Sequence, residues 1–336
     1  MKRFQALALG IACALAFGSA ALPARAADTV KAGFLRVPQP SFAGIEKGFF
    51  TAEGIDLQPI FFQSGAALVP SIATGQIDVA YASTGAALFN AFALGSQMAI
   101  VADFFTAAKD SPTGDTQFFV ARKDLVTNGA FKPTKGMTLA VTARGQVTDL
   151  FSRLYLTANG LAESDVKIVT LAYPDMLAAF SNKAIDMAVA IEPFVTVAET
   201  QGAALRVGAE SAYAPSIIQA ATIYGERLAK TNRDLGMRYM RALTKSNRYV
   251  RTLLKTPAGR TELAAIYQKY VPIDNPALYE KIGIGTGLDN LAVDVDGKFG
   301  LRWELQEFTA AGLVPKQPDL KTAVDNSFAN AAAKAK

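Results

Sequence analysis

Residues 75–80 have the sequence Gly-Gln-Ile-Asp-Val-Ala, and residues 183–188 have the related sequence Lys-Ala-Ile-Asp-Met-Ala. In both segments an Ile-Asp pair opens a short apolar strand that runs into a polar turn, at Ser83 and Thr84 in the first and at Glu192 in the second. Ile-Asp strand starts also occur in α/β proteins that have no internal repeat. We interpret the repetition as an indication of two similar lobes that form a clamp.

Predicted strands and helices alternate on both sides of these segments. The predicted strands are 30–35, 55–62, 77–82, 98–105, 117–121, 137–141, 166–171 and 185–191. The predicted helices are 41–53, 66–74, 86–94, 148–159, 174–181 and, near the end, the long amphipathic stretches 227–254 and 257–270. This alternation predicts an α/β fold with mostly parallel sheets flanked by helices.

The composition limits the chemistry that this chain can perform. With 336 residues, 51% of them hydrophobic, the chain is long enough for two globular domains. It contains no histidine, which excludes Ser-His-Asp triads, Cys-His pairs and most zinc sites. Its one cysteine, Cys13, has no partner for an intramolecular disulfide. The segment 294–297 lacks the further ligands of a calcium loop, so we expect neither a metal nor a cofactor.

Residues 1–26 have the pattern of a cleaved signal peptide. Lys2 and Arg3 precede the apolar stretch 6–17, and the segment ends in Ala-Arg-Ala. The stretch is shorter than the roughly 20 residues of a membrane span, although an uncleaved anchor is the alternative. Three of the 34 Lys and Arg residues lie in this segment, which leaves 31 against 29 Asp and Glu. The sequence therefore predicts an exported, periplasmic protein without a nucleic-acid-binding surface.

Candidate binding residues lie where predicted strands run into helices, because open α/β sheets bind ligands beyond the carboxyl ends of their strands. Four such turns are 36–42, 63–66, 83–86 and 142–148. Their small and hydroxyl residues leave backbone N–H groups accessible, and the helix dipole favours negative charge there, so we expect a small anion. The alternative for each Ser or Thr is a helix N-cap without a binding role.

We single out ten residues as candidates for binding. They are Gln39, Ser64, Gly65, Ser83, Thr84, Arg144, Gly145, Gln146, Thr148 and Glu192. The guanidinium of Arg144 is suited to a carboxylate or sulfonate, or else to an ion pair with Asp149. Glu192 is a candidate acceptor for a ligand amine or hydroxyl, or else a structural carboxylate; Arg36 is a weaker second cation. At most two or three of six nearby aromatics are expected to line the site: Phe61, Phe62, Tyr81, Phe104, Phe105 and Tyr173.

Further motifs resemble a known family. Glu46 to Phe50 and Glu53 to Leu57 resemble the first helix and second strand of the nitrate/sulfonate/taurine substrate-binding proteins of ABC transporters. This family includes binders of thiamine-pyrimidine precursors. Residues 64–66, 75–80, 191–193 and 305–315 also match its pattern. The resemblance covers nearly the whole chain after residue 26 but does not identify the ligand.

The resemblance implies a two-lobed periplasmic-binding-protein fold of type II. Lobe 1 would comprise 27–112 and 213–336, and lobe 2 would comprise 113–212, with crossings near 108–117 and 210–220. The family's ligand turns correspond to 64–65, 83–84, 145–148 and Glu192. The lobes would close on a small organic anion (a sulfonate, a taurine-like compound or an aromatic acid), and the closed monomer would dock on a permease in the inner membrane.

This sequence departs from the family pattern at two turns. Ile191-Glu192 replaces the aromatic residue that often precedes the proline in taurine and alkanesulfonate binders, and Arg144-Gly145-Gln146 replaces a Ser/Thr-rich turn. A ligand other than a simple sulfonate is therefore expected. The alternatives are a pyrimidine-precursor binder, an enzyme on the same fold and a sensory receptor. The missing histidine and the signal peptide disfavour an enzyme.

Overall fold

The structure, a computed structural model, describes residues 26–107 and 114–335. The segment predicted as a signal peptide lies outside the described residues, except for Ala26. The described strands are β1 Asp28–Phe34, β2 Ile55–Phe61, β3 Val79–Ala82, β4 Ala99–Thr106, β5 Gln117–Arg122, β6 Thr138–Val141, β7 Lys167–Thr170, β8 Met187–Ile191, β9 Ala204–Ala209 and β10 Ile218–Tyr224. The described α-helices are α1 Pro40–Glu46, α2 Phe49–Ala52, α3 Gly65–Ala73, α4 Ala86–Ala93, α5 Val147–Ala158, α6 Tyr173–Ser181, α7 Phe194–Thr200, α8 Arg233–Leu253, α9 Pro257–Tyr270, α10 Leu301–Ala310, α11 Leu320–Ala323 and α12 Ser327–Lys334.

These strands form two sheets with the same plan. The first has the order β2-β1-β3-β10-β4 and the second the order β7-β6-β8-β5-β9. In each sheet four strands share one direction, and the strand that enters just after a crossing, β10 or β5, runs antiparallel between two of them. The prediction of two α/β lobes is confirmed, and each mostly parallel sheet is mixed because of its reversed strand.

The chain passes between the sheets twice. It leaves the first sheet after β4, enters the second at β5, and returns between β9 and β10. Lobe 1 denotes the first sheet with its helices, and lobe 2 denotes the second sheet with its helices. The predicted division of the chain after residues 112 and 212 remains a prediction.

The two Ile-Asp segments play equivalent roles in the two sheets. Asp78 N donates to Lys31 O at 2.8 Å, and Lys31 N donates to Asp78 Oδ2 at 2.9 Å. In the second sheet Asp186 N donates to Thr138 O at 2.9 Å, and Thr138 N donates to Asp186 Oδ2 at 2.8 Å. Each aspartate thus ties the strand that follows it to the neighbouring parallel strand, β1 or β6.

Two of the predicted helices are interrupted. The helix predicted over 41–53 is divided into α1 and α2 by Gly48, whose φ of +69° lies in the left-handed region that glycine tolerates. The helix predicted over 227–254 begins with one π-helical turn, Arg227–Thr231, before α8. The break falls at Asn232, whose side chain accepts a hydrogen bond from Leu235 N and caps α8.

Apolar contacts join the lobes as well as stabilising each of them. One core lies beneath α1, α8 and α9, and another is built from α3, α4 and α10 on the opposite face of the first sheet. Val147 and Leu150 of α5, each 1% exposed, belong to this second core although α5 follows β6 of lobe 2. The structure is therefore a closed arrangement of the two lobes. Among the described helices, none combines the length and apolarity of a membrane span.

Candidate ligand-binding site

A cavity of about 60 Å³ lies between the two sheets. Lobe 1 contributes the turn after β1, the start of α3 and the end of β3, while lobe 2 contributes the turn between β6 and α5. One water molecule needs about 10–15 Å³ by this measure. The inner cavity, as we call it, is thus large enough for a small polar group.

Five of the ten predicted residues line the inner cavity: Gln39, Gly65, Ser83, Gln146 and Thr148. Ser83 Oγ accepts a hydrogen bond from Val147 N at 3.2 Å, which joins the end of β3 to the first turn of α5. The hydroxyls of Thr148 and Thr142 lie 2.9 Å apart. The strand-to-helix turns of both lobes therefore meet at this cavity.

Gln39 lines the inner cavity with a side chain whose hydrogen-bonding capacity is unmet. It precedes α1 and is 1% exposed. Neither its Oε1 nor its Nε2 has a hydrogen-bond partner among the described residues. Buried amide groups are normally hydrogen-bonded, and an unpaired one is costly. The Gln39 carboxamide is therefore buried without a hydrogen-bond partner among the described residues.

Two further glutamines of the cavity are not among the predicted residues. Gln117 Nε2 donates to Glu210 Oε1 at 2.7 Å, and Gln219 Nε2 donates to Glu210 Oε2. Thr116 Oγ1 donates to Gln219 Oε1 at 2.8 Å. Burial raises the pKa of Glu210 to about 8. This cluster connects the two crossings. In the sequence, the feature that could have indicated it is a glutamine at or near the start of each apolar strand that follows a crossing.

Arg144 does not line the inner cavity. Its Nη2 lies 2.6 Å from Glu163 Oε1 and its Nε lies 3.1 Å from Asp149 Oδ1. Asp149 is fully buried and also accepts a hydrogen bond from Gly145 N at 2.9 Å. The Arg144 side chain is thus held on the outside of the turn by these carboxylates, the ion-pair alternative of the sequence analysis. Gly145 itself lies at the lobe interface, where its carbonyl oxygen accepts from Ala86 N at 2.8 Å.

Glu192 does not line the inner cavity either, and its carboxylate is used by neighbouring residues of lobe 2. Its carboxylate accepts hydrogen bonds from Thr196 N at 3.0 Å and Thr196 Oγ1 at 2.8 Å, and it faces Arg206 Nη2 at 3.3 Å. Burial raises the pKa of Glu192, against the opposing effect of Arg206. These bonds use the carboxylate to hold the first turn of α7.

Thr84 and Ser64 lie beside the inner cavity without lining it. Thr84 Oγ1 donates to Ile218 O at 3.1 Å and bonds the buried carboxyl of Glu304. Burial raises the pKa of Glu304 well above its usual range. Ser64 precedes α3, and its side chain makes no capping hydrogen bond.

Aromatic side chains surround the site in larger number than expected. Tyr81, Phe104, Phe105 and Tyr173 line the inner cavity, where two or three were expected. Tyr81 packs against Phe104 with ring centroids 4.2 Å apart, and Phe104 stacks on Phe105 at 4.5 Å. One wall of the inner cavity is consequently built of packed aromatic rings.

A second cavity of about 360 Å³, which we call the outer cavity, adjoins the first. The two share Leu35, Val37 and Tyr173. Its walls are mainly apolar and come from both lobes, including Phe61, Phe62, Leu177, Phe194, Val197 and Ile273. Arg36 lies at this cavity, with its guanidinium 4.2 Å from the ring centroid of Phe61 and Nη1 donating to Tyr270 O.

The chemical character of the inner cavity follows from these residues. Its described lining consists of amide, hydroxyl and apolar groups and carries no charged side chain. In the described parts of the chain no group of three or more His, Cys, Asp or Glu residues is placed to hold a metal ion. The arrangement is suited to enclosing and hydrogen-bonding a small guest between two lobes.

Comparison with solved structures shows the same fold in two binding proteins. The alkanesulfonate-binding protein SsuA from Xanthomonas axonopodis pv. citri, bound to MOPS, is 15% identical; the match covers 88% of this chain and 98% of that one, with a TM-score of 0.72. The periplasmic nitrate-binding protein NrtA from Synechocystis PCC 6803 is 17% identical, with 92% and 89% covered and a TM-score of 0.75.

An enzyme shares the fold as well. The desulfurization enzyme DSZB is 15% identical, with 91% of this chain and 98% of that chain covered and a TM-score of 0.64. At these identities the likeness concerns the fold alone. A search of the curated proteins gave no match.

The sequence itself identifies the family. Residues 26–267, well over half of the chain, match the model of the NMT1-like family. Together with the fold of the nitrate- and sulfonate-binding proteins, this match agrees with the resemblance found in the sequence motifs. The chain belongs to the NMT1-like family and has the two-lobed fold of periplasmic binding proteins.

Proposed function

We propose that this protein is the periplasmic substrate-binding component of an ABC importer and captures a small organic molecule between its lobes. The observation that carries the proposal is the inner cavity, which both lobes enclose and which Gln39, Ser83, Gln146 and Thr148 line with polar groups. A site divided between two lobes converts binding into closure, because the ligand contacts both lobes only in the closed form.

The proposed partner is a permease in the inner membrane that accepts the closed monomer. The crossings near Gln117 and Gln219 supply a hinge whose polar atoms are satisfied by Glu210. Export to the periplasm rests on the pattern of residues 1–26. The folds of the alkanesulfonate- and nitrate-binding proteins support a role in solute capture.

Two ligand classes follow from different observations. The turns at helix starts favour a small organic anion such as a sulfonate, a taurine-like compound or an aromatic acid. The uncharged described lining of the inner cavity and its aromatic wall favour an uncharged molecule, with a pyrimidine or thiamine precursor as the example given by the sequence resemblance. No cofactor is needed for either role.

A thermal-shift screen of the purified protein tests this function. The panel contains taurine, alkanesulfonates, nitrate, aromatic carboxylates and pyrimidine precursors. A ligand at a hundredfold excess over its Kd stabilises the folded state by about 2.7 kcal/mol, so a true ligand raises the Tm by several degrees. If the whole panel leaves the Tm unchanged, the assignment to these solutes is wrong.

The same experiment separates binding from catalysis. A binding protein returns its ligand unchanged, which proton NMR of the mixture after overnight incubation shows directly. Conversion of the compound would instead support an enzyme, the class represented among similar folds by DSZB. A sensory receptor would bind the ligand equally well, but its closed form would bind a membrane kinase rather than the permease in a pull-down.

A further inference from the structure

Gln39 brings a buried, unpaired carboxamide to the lining of the inner cavity. Its side chain is 1% exposed, it lines the cavity, and both of its polar atoms lack partners among the described residues. The orientation of the amide does not affect this, because neither the oxygen nor the nitrogen forms a hydrogen bond. The side chain therefore offers one acceptor and two donor hydrogens to a guest.

A carboxamide is best matched by a group like itself. A primary amide, a lactam or an amino-substituted heteroaromatic ring presents a donor next to an acceptor and can satisfy both atoms of Gln39 with two parallel hydrogen bonds. A carboxylate or sulfonate presents acceptors only. It would pair with Nε2 but offer no donor to Oε1, so it would form one hydrogen bond fewer than the amide and bind about tenfold more weakly.

The surroundings of Gln39 favour the same class of ligand. The described walls of the inner cavity provide amides, hydroxyls and aromatic rings but no cation to neutralise an anion. Carboxyl groups are buried nearby: Glu210 bonds the cavity residues Gln117 and Gln219, and Glu304 bonds Thr84. An anion taken from water into such a site would lose its hydration without gaining a counter-charge.

The sizes of the two cavities place the rest of the ligand. The inner cavity, at about 60 Å³, accommodates a small polar head. The outer cavity is about 360 Å³ and mainly apolar, and it shares the lining residues Leu35, Val37 and Tyr173 with the inner one. A molecule with its polar head at Gln39 would therefore extend an apolar body between Phe62 and Phe194.

We propose that the ligand is an uncharged molecule whose adjacent donor and acceptor pair with the Gln39 side chain and whose apolar body occupies the outer cavity. This inference rests on the proposed binding function and specifies its substrate class. Gln39 is then the residue that distinguishes an amide-like head from an acid.

Matched pairs of compounds test the inference on the wild-type protein. The pairs are benzamide and benzoate, nicotinamide and nicotinate, and hexanamide and hexanoate, all titrated by calorimetry at pH 7, where the acids are ionised. We expect the amide of at least one pair to bind at least tenfold more tightly than its acid. Acids that bind as tightly as the amides would overturn the inference and leave the binding function intact. If neither class binds, the inference fails, and the thermal-shift screen decides the binding function separately.

Substitution of Gln39 provides the second test. In Q39L we expect the affinity for the binding amide to fall at least tenfold, whereas Q306L, on the exposed face of α10, should keep it within twofold. The unliganded Tm of Q39L should not fall, because the native amide has no hydrogen bond to lose. An unchanged affinity in Q39L would contradict the inference. If Q39L does not fold, the matched pairs on the wild type still decide the matter.

Discussion

At the level of single residues, the polar groups of the cleft serve two purposes. Gln117 and Gln219 use their amides to hold Glu210 at the crossings, so one donor hydrogen of each is already committed. Gln39 is committed to nothing among the described residues. Arg144 and Glu192, the two charged candidates of the sequence, are both paired within lobe 2. Residue type alone did not separate these roles, because each depends on which partner the fold brings into reach.

The pairing of Arg144 leads to a prediction that reverses the sequence-based one. Arg144→Ala should leave the affinity for any ligand within about twofold, since the side chain contacts Asp149 and Glu163 rather than the inner cavity. The loss of stability should be about 1–3 kcal/mol, because Asp149 is fully buried and keeps Gly145 N and, at 3.7 Å, Arg153 as its partners. Calorimetry and urea unfolding check both values, and a tenfold loss of affinity would return Arg144 to the site.

The buried carboxyl of Glu210 predicts a pH dependence of stability. Its pKa is raised from 4.5 to about 8, chiefly by burial, so the folded state holds a proton that the unfolded state releases. The resulting stabilisation is fully present below about pH 4.5 and is lost as the pH rises to about 8. The Tm should accordingly fall between pH 5 and pH 8.

Asp103, whose pKa burial raises to about 6, acts in the same direction, so one substitution must isolate Glu210. Glu210→Gln cannot titrate and should show a shallower fall of the Tm over this pH range. The control is Glu307→Gln on α10, which should keep the wild-type slope. Parallel curves for wild type and Glu210→Gln would show that this carboxyl is ionised in the folded protein.

At the level of helices and strands, the sequence is most informative where a local pattern of residues determines the hydrogen bonds of a strand. The Ile-Asp repeat predicted two similar lobes because the same local pattern forms the same hydrogen bonds, at Asp78 and at Asp186. The reversed strands β5 and β10 could not be placed in this way. Their position depends on long-range pairing with β8 and β9, and with β3 and β4, which no local pattern encodes. The cavity glutamines on these strands were missed for the same reason.

The repeated aspartates give matched mutations. Asp78→Ala and Asp186→Ala should each lower the free energy of unfolding by about 1–3 kcal/mol, because each leaves a strand N–H unpaired. Each also removes one partner of an arginine, Arg227 at 3.2 Å or Arg122 at 3.0 Å. Urea denaturation provides the measurement. Asp56→Ala on the exposed edge of β2 is the control and should change stability by less than about 0.5 kcal/mol. Equal stability of all three variants would refute the shared role.

At the level of the whole molecule, backbone contacts between the lobes define the closed form. Ala86 N of lobe 1 donates to Gly145 O of lobe 2 at 2.8 Å, beside the bond from Val147 N to Ser83 Oγ. The approach requires glycine on both sides. A Cβ added at Gly85 would lie 2.6 Å from Gly145 O. Gly145 has a φ of +72°, and a Cβ added there would lie 2.9 Å from Ala86 Cβ.

This contact predicts a variant that binds poorly without altering any ligand contact. Gly85→Ala should obstruct closure and weaken the affinity at least tenfold, while the unliganded Tm stays within a few degrees of the wild type. Gly225→Ala, whose added Cβ meets atoms at 3.4 Å or more, is the control and should bind normally. Calorimetry measures the affinity, and small-angle scattering should show a larger radius of gyration for liganded Gly85→Ala. Normal binding by this variant would mean that the lobes function without this contact.

The strand order also determines when this protein can complete its fold. Strands β3 and β4 are consecutive in the chain but are separated in the sheet by β10, which is synthesised only after the whole of the second sheet. The first sheet therefore cannot be finished from the amino-terminal segment alone, and its long-range pairing makes folding intrinsically slow. For a chain proposed to cross a membrane before folding, this delay is useful, since an incomplete sheet keeps the emerging polypeptide competent for translocation until residue 224 has been made.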